Sequence, residues 1–437
     1  FVTGDPYTPQ SGDVTFGVLH YALDLEYRVL TNRLDGVAVI SAVARQPLTS
    51  FSLNLVGLRA SRVQVDDDKR TRYRQGPRGL VVKPPAPIAA GTAFQVTVRY
   101  GGHPVPRHTR WGQLGWEELA DGLLVGSQPT GAPTWFPCND RPSDKARYRI
   151  QVSVEDGYTV LATGRPISQT RSSGRVTWVF AEAIPTASYL VALHVGRYRS
   201  RPLNLPTVSG TVAYPAPLAA RVQADLACLP RMLALFEDRF GPYPMGRYDL
   251  VVTSDDLEIP LEAQGMAVFG ANHLDGRGSS ERLVAHELAH QWFGNSVGVA
   301  TWQDIWLNEG FSCYAEWLWS EEAGQLSCQQ QAKHHRALLA RLPQDLVLAD
   351  PGAARMFDDR VYKRGALALQ ALRRVVGDAT FFGILRGWTD AKRHATGTTA
   401  DFVALAETVA GRELTSLFTP WLHQAGLPKL PAKSTPG

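Results

Sequence analysis

Cysteine and methionine are both scarce, with four of each in 437 residues, and no two cysteines form a CxxC pair. Cys138, Cys228, Cys313 and Cys328 are too scattered for a disulfide framework or a cysteine zinc site. They read as individual buried thiols, with one disulfide left open for an exported chain. No apolar run approaches the roughly 18 residues that a membrane-spanning helix needs, so no span is expected and the chain reads as soluble. Charge of one sign is gathered nowhere. Charged residues make up 20%, the net charge is +4, and such an even spread excludes a dedicated nucleic-acid surface. No basic-then-apolar leader follows Phe1, so the start reads as processed or trimmed, and the compartment stays open between cytoplasmic and exported. Internal repeats and low-complexity blocks are also missing.

What is present is enough apolar residue, 44%, for more than one core, because single cores stop growing beyond roughly 250–300 residues. Two domains are expected, 1–200 and 201–437. The first has a period of two, as in Tyr21, Leu23, Leu25, Tyr27 and in Phe94, Val96, Val98, Tyr100, and so reads as an all-β sandwich or saddle. Asp156-Gly157 predicts a tight hairpin between Tyr148–Val154 and Tyr158–Leu161. Beyond Pro206 the period changes. Helices are predicted over 224–240, stopping at Gly241-Pro242, from Ser280 as cap to Gly294, from near Asn308 to Gly324, and from Thr398-x-x-Asp401 to Gly411. A few strands such as Tyr248–Val252 make this half α+β and mainly helical.

His286-Glu287-Leu288-Ala289-His290 fits HExxH inside a helical window. Residues four apart share a helix face, so both imidazoles can address one ion, while Glu287, turned about 100° from His286, can reach a water without being a ligand. Glu309 follows His290 after eighteen residues, in the first turn of the next predicted helix, where its carboxylate can return to the ion. Two imidazoles and one carboxylate leave a fourth position for water, which is the composition of a catalytic zinc site. One zinc ion is the expected cofactor, though cobalt or manganese suit the same ligands. Phe293 and Ser296 stand where a metzincin needs glycine and a third histidine. The remaining histidines, His334-His335 on a solvated helix face among them, are not expected to bind metal.

These residues resemble the aminopeptidase N and leukotriene hydrolase family of zinc metallopeptidases. The likeness rests on the run His286 to Asn295, on Leu307-Asn308-Glu309-Gly310-Phe311, and on a β half preceding a helical half, and it covers nearly the whole chain. It implies a thermolysin-like catalytic domain. Phe136-Pro137-Cys138-Asn139-Asp140-Arg141-Pro142 is similar to the family's structural FPCxDEP element, with Arg141 where an acid is usual. Tyr362, in Tyr362-Lys363-Arg364-Gly365-Ala366, resembles the YxKGA tyrosine, whose implied role is to donate a hydrogen bond to the oxyanion; a phenol, protonated at neutral pH, suits it.

The resemblance also implies anchors for a substrate amine. Ile259-Pro260-Leu261-Glu262-Ala263-Gln264-Gly265-Met266 stands where the family has GxMEN, which gives Glu262 the pairing with an ammonium and puts Leu261 in place of methionine on the substrate side. Pro260 has no N–H to offer, and Glu258 is a nearby alternative. Gln128, in Gly126-Ser127-Gln128-Pro129-Thr130, resembles the second amine contact. The sequence closes soon after Trp421 to Pro428, without the long C-terminal helical domain of most relatives, which implies a more open cleft. The expected activity is removal of N-terminal residues from peptides by a monomer, with Glu287 as general base. An endopeptidase or a non-peptide hydrolase using the same metal stands as the alternative, and an inactive adaptor as a third reading that the intact ligand set argues against.

Overall fold

A computed structural model describes residues 4–432. The chain divides into two compact units. The first comprises residues 1–203, 209–219 and 246–272, and the second comprises 204–208, 220–245 and 273–437. Stretches 209–219 and 246–272, which follow residue 200, thus group with the β-rich unit.

The first unit is built of sheets. A seven-stranded sheet runs in the order Arg165–Ser172, Arg175–Thr186, Ala146–Glu155, Phe16–Arg28, Arg33–Ala44, Ala93–Gly102, Arg59–Val65. Its pairs are antiparallel except that between Phe16–Arg28 and Ala146–Glu155. The period-two residues behave as expected: Tyr21, Leu23, Leu25 and Tyr27 are all buried, as are Phe94, Val96, Val98 and Tyr100. A five-stranded sheet, Thr159–Ala162, Leu193–Gly196, Gly122–Gly126, Gly112–Leu119, Arg107–Thr109, contributes Trp116, Leu123, Val125 and Leu193 to the same core. The Asp156-Gly157 hairpin does not form. Ala146–Glu155 pairs in the seven-stranded sheet and Thr159–Ala162 in the five-stranded one, so the turn hands the chain from one sheet to the other. Local turn chemistry is the same in both cases, and the partner strands decide. A further mixed sheet, Arg199–Leu203, Gly210–Tyr214, Asp249–Val252, Met266–Phe269, Leu261–Ala263, carries Leu261 and Glu262 on its edge strand.

The second unit is mainly helical. Its helices include α1 (Leu229–Phe240), α2 (Glu281–Ala289), α3 (Trp306–Glu322), α4 (Cys328–Leu339), α5 (Asp359–Val376), α6 (Asp378–Ala391) and α7 (Thr399–Ala410). The helix expected over 224–240 is two pieces. A short one ends at Asp225 and α1 starts at Leu229, with Pro230 in its first turn, where a missing N–H is harmless. Gly241 ends α1 at φ 94. Ser280 precedes α2 without a side-chain capping bond, whereas Thr398 and Asp401 form a full capping box on α7. An aromatic chain of edge-to-face and tilted contacts through Phe240, Phe293, Phe311 and Phe402 packs the middle of the unit. His335 is half-buried, stacked on Trp317 at 5.4 Å, so it is not on a solvated face. All four cysteines are free thiols.

Helix α5 is pinned from behind by one side chain. Arg364, 4% exposed, donates to six carbonyls: Trp421 (3.1 Å), Leu346 (3.0 Å), Ala425 (2.6 Å), Pro420 (3.1 Å), Gly426 (3.2 Å) and Gln424. Burial lowers its pKa to about 10, and the carbonyl dipoles stand in for a counter-ion.

Candidate metal centre and substrate anchors

The metal triad is assembled by α2 and α3. His286 lies near the end of α2, and His290 is the residue that closes it. The chain then tightens: Gln291 and Trp292 bond to carbonyls three residues back, and Gly294 turns at φ 115. A Cβ there would lie 3.2 Å from His290 Nδ1, so glycine lets the chain double back beside the imidazole. The predicted run of helix to Gly294 is therefore cut short at His290. Glu309 sits in the first turn of α3, where the helix dipole favours a carboxylate.

Nε2 of His286 and Nε2 of His290 each lie 3.5 Å from Glu309 Oε2. The three ligand atoms fall within 4.8 Å of one another, and all three residues are buried. Tetrahedral zinc with bonds of about 2.0–2.2 Å places its ligand atoms about 3.3–3.6 Å apart, so the spacing fits that ion. The rear nitrogens are occupied. His286 Nδ1 donates to Glu316 Oε1 at 2.7 Å, and His290 Nδ1 donates to the Phe293 carbonyl at 3.0 Å, with Ser312 Oγ at 3.1 Å. Both bonds place a ring proton on Nδ1 and leave Nε2 of each ring as the atom that would face an ion, the arrangement that metal-binding histidines ordinarily have.

Electrostatics follow from this packing. Burial works against charge on Glu309, but the two imidazoles hold its carboxyl down to about 2. Burial likewise opposes charge on His286, yet Glu309 and Glu316 raise it to about 9. Without metal, the charged form of His286 is thus favoured between the two carboxylates. Glu316 is held down to about 2 against its burial, by His286 first and then by Lys363 and Arg282; Arg282 Nη1 meets its other oxygen at 3.0 Å. Glu316 was not among the predicted residues. Its signal is a separation of seven from Glu309, two turns along the same helix face.

Glu287, 3% exposed, neighbours His286 on α2. Tyr362, in the first turn of α5, lies with its ring 6.1 Å from that of His286 at 21° between planes. Helices α3 and α5 meet at Gly310 and Gly365, the residue after Glu309 and the third after Tyr362. The second unit therefore brings His286, Glu287, His290, Glu309 and Tyr362 together.

Gln128, Leu261 and Glu262 belong to the first unit. Leu261 and Glu262 pair with Val268 and Ala267, and Leu261 reaches the strand that leads to Gln128: a Cβ on Gly126 would meet Leu261 Cδ1 at 2.9 Å. The amide nitrogen of Gln128 is closed to solvent and has no hydrogen-bond partner among the described residues, and the Gln128-Pro129 peptide is cis. The two anchor segments are thus neighbours within this unit.

The profile of the peptidase family M1 domain matches residues 225–421, and that of the peptidase M1 N-terminal domain matches residues 119–190. An M1 zinc metallopeptidase from Deinococcus radiodurans, solved by crystallography, is 32% identical with a TM-score of 0.91, covering 99% of each chain. The chain belongs to peptidase family M1. A mutant of the Deinococcus enzyme bound to a Tyr-Ser-Ala substrate gives the same identity, coverage and TM-score. Human endoplasmic reticulum aminopeptidase 1 is 27% identical over 412 residues, 84% of this chain but 43% of that protein. The chain therefore spans less than half the length of that relative. Membership in M1 brings one catalytic zinc ion, which the spacing of the triad fits. No helix among the described residues is long and apolar enough to cross a membrane.

Proposed function

We propose that this M1 chain is a zinc-dependent aminopeptidase that removes N-terminal residues from peptides, acting as a monomer with a β-rich domain to about residue 200 and a catalytic domain after it. His286, His290 and Glu309 hold the ion. The observation that carries the reading is the pair of Nε2 atoms, each 3.5 Å from Glu309 Oε2, with both Nδ1 atoms engaged behind them. Zinc bound there supplies Lewis acidity to a peptide carbonyl and makes water acidic near neutral pH.

The chain's own groups do the rest. Glu287 takes the proton of the attacking water and passes it to the leaving amine. Tyr362 donates its hydroxyl hydrogen to the oxyanion, where one such donor is worth about 3–4 kcal/mol. Glu262 pairs with the substrate ammonium, Gln128 accepts from it, and Leu261 lines the adjoining surface, so that the first peptide bond is the one presented. The Tyr-Ser-Ala peptide bound by the Deinococcus relative and the aminopeptidase names of other relatives support this substrate class.

The test is a panel of aminoacyl fluorogenic amides with free amines beside N-acetylated versions, with and without chelator. An aminopeptidase loses the acetylated substrates and every substrate after chelation. Equal cleavage of blocked and free forms overturns the exopeptidase reading in favour of an endopeptidase, a reading that Pro260 in the amine-binding segment keeps open. Glu287→Gln is expected to keep its zinc and lose nearly all turnover.

A further inference from the structure

Glu316, the carboxylate on His286, also lines a cavity of about 420 Å³ in the helical unit, within the roughly 300–1,000 Å³ of small-molecule sites. Its acceptors are largely engaged. Glu316 gives one oxygen to His286 and the other to Arg282, and Glu281 Oε2 accepts from Trp319 Nε1 at 3.0 Å. The remaining acid, Asp359, is 78% exposed and 3.9 Å from Lys363 Nζ.

Donors are in surplus. The Lys363 side chain is 13% exposed, and its ammonium meets Cys313 Sγ at 3.4 Å, a weak acceptor, while Asp359 lies beyond hydrogen-bond reach. Burial opposes the charge on Lys363, but Cys313, Glu316 and Asp359 keep its pKa above the ordinary value, so it remains a cation. Arg282 places one of its five N–H groups on Glu316. Trp317, 1% exposed, backs one wall of the cavity. The Trp317 ring lies flat on His335, 1° between planes, and burial drops His335 to about 4, so this part of the wall is uncharged and aromatic.

We propose that this cavity binds a small carboxylate carried on an aromatic body, with Lys363 and Arg282 on the carboxylate and the Trp317–His335 wall against the ring. Two cations with unused N–H groups suit a carboxylate, and the stacked rings suit an apolar body. Free aromatic acids and peptide C-termini share this chemistry. The site goes beyond the aminopeptidase reading and does not depend on it.

The experiment is isothermal calorimetry on the zinc-loaded protein with its metal covered by a saturating hydroxamate, titrating N-acetyl-phenylalanine, its amide, and N-acetyl-alanyl-phenylalanine. One saturable site for an acid is expected, with the amide at least tenfold weaker. Lys363→Met weakens the acid at least tenfold. His335→Ala, which removes the partly exposed ring of that wall, weakens it severalfold with an unchanged circular dichroism spectrum. Preference for the single amino acid supports free acids as the source, and preference for the dipeptide supports peptide C-termini. Absence of saturable binding, equal affinity for the amide, or unchanged affinity in both variants overturns the proposal.

Discussion

Gly310 and Gly365 touch backbone to backbone: a Cβ built on Gly365 would stand 2.6 Å from the Gly310 Cα, and one on Gly310 would stand 2.8 Å from the Gly365 Cα. No side-chain motion relieves such a contact. Gly365→Ala is expected to force α3 and α5 apart, costing about 1–3 kcal/mol as overpacking does, and to carry Tyr362 away from His286. Chemical denaturation and turnover measured on the same preparation check this. A variant as stable and as active as the parent would refute the helix contact as the device that sets the site.

Glu316 is expected to govern zinc affinity without being a ligand. Glu316→Gln keeps the shape but loses the charge that fixes the His286 Nδ1 proton, and outer partners of this kind alter metal affinity by about 10–100-fold. Competition with a chromogenic chelator gives the number. Unchanged affinity would mean that His286 is oriented by its packing alone.

The elevated pKa of His286 sets a pH window. Its value in the metal-free fold, about 9, lies above the ordinary 6.5. The stability it contributes is therefore fully present below about pH 6.5 and is lost as the pH rises through 9. Zinc needs the neutral ring, so the metal-free melting temperature is expected to fall across this window while the rise produced by zinc grows. Scanning calorimetry at half-unit steps, with and without zinc, would expose a flat difference if the assignment is wrong.

Asp140 offers the opposite sign in the β-rich unit. Complete burial raises its carboxyl from 3.8 to about 7, with Ser188 Oγ donating to it at 2.8 Å. A carboxyl whose folded pKa is raised loses stability as the pH climbs from about 4 through 7. Asp140→Asn keeps the acceptor for Ser188 and removes the charge, so it is expected to flatten this slope and to leave the protein no less stable at pH 8. Urea midpoints between pH 4 and 8 decide it.

The cluster of candidate metal ligands was legible because its chemistry is local: four-residue spacing puts His286 and His290 on one face, and the first turn of α3 returns Glu309 to them. The β and helical halves were legible for the same reason, since a period of two or of three to four residues is written in short windows. What the sequence withheld was tertiary. Asp156-Gly157 has hairpin chemistry, but the strands on either side found partners in different sheets. Segments 209–219 and 246–272 grouped with the β-rich unit because their strands add to Arg199–Leu203. The break before α1 was readable at Pro230, though the apolar spacing on both sides concealed it. Glu316 and the glycine contact are statements about which helix faces which, and no window of one helix contains them.

Five of the six carbonyls around Arg364 make the stretch 420–426 a lock on the helix that bears Tyr362, the proposed oxyanion donor. A proteolytic nick or an insertion within those residues would strand a guanidinium in a dry enclosure, a loss far larger than that of a loose loop elsewhere on the surface. Tags and fusion partners therefore belong outside this stretch, and a preparation clipped there is expected to lose its activity while His286, His290 and Glu309 remain intact.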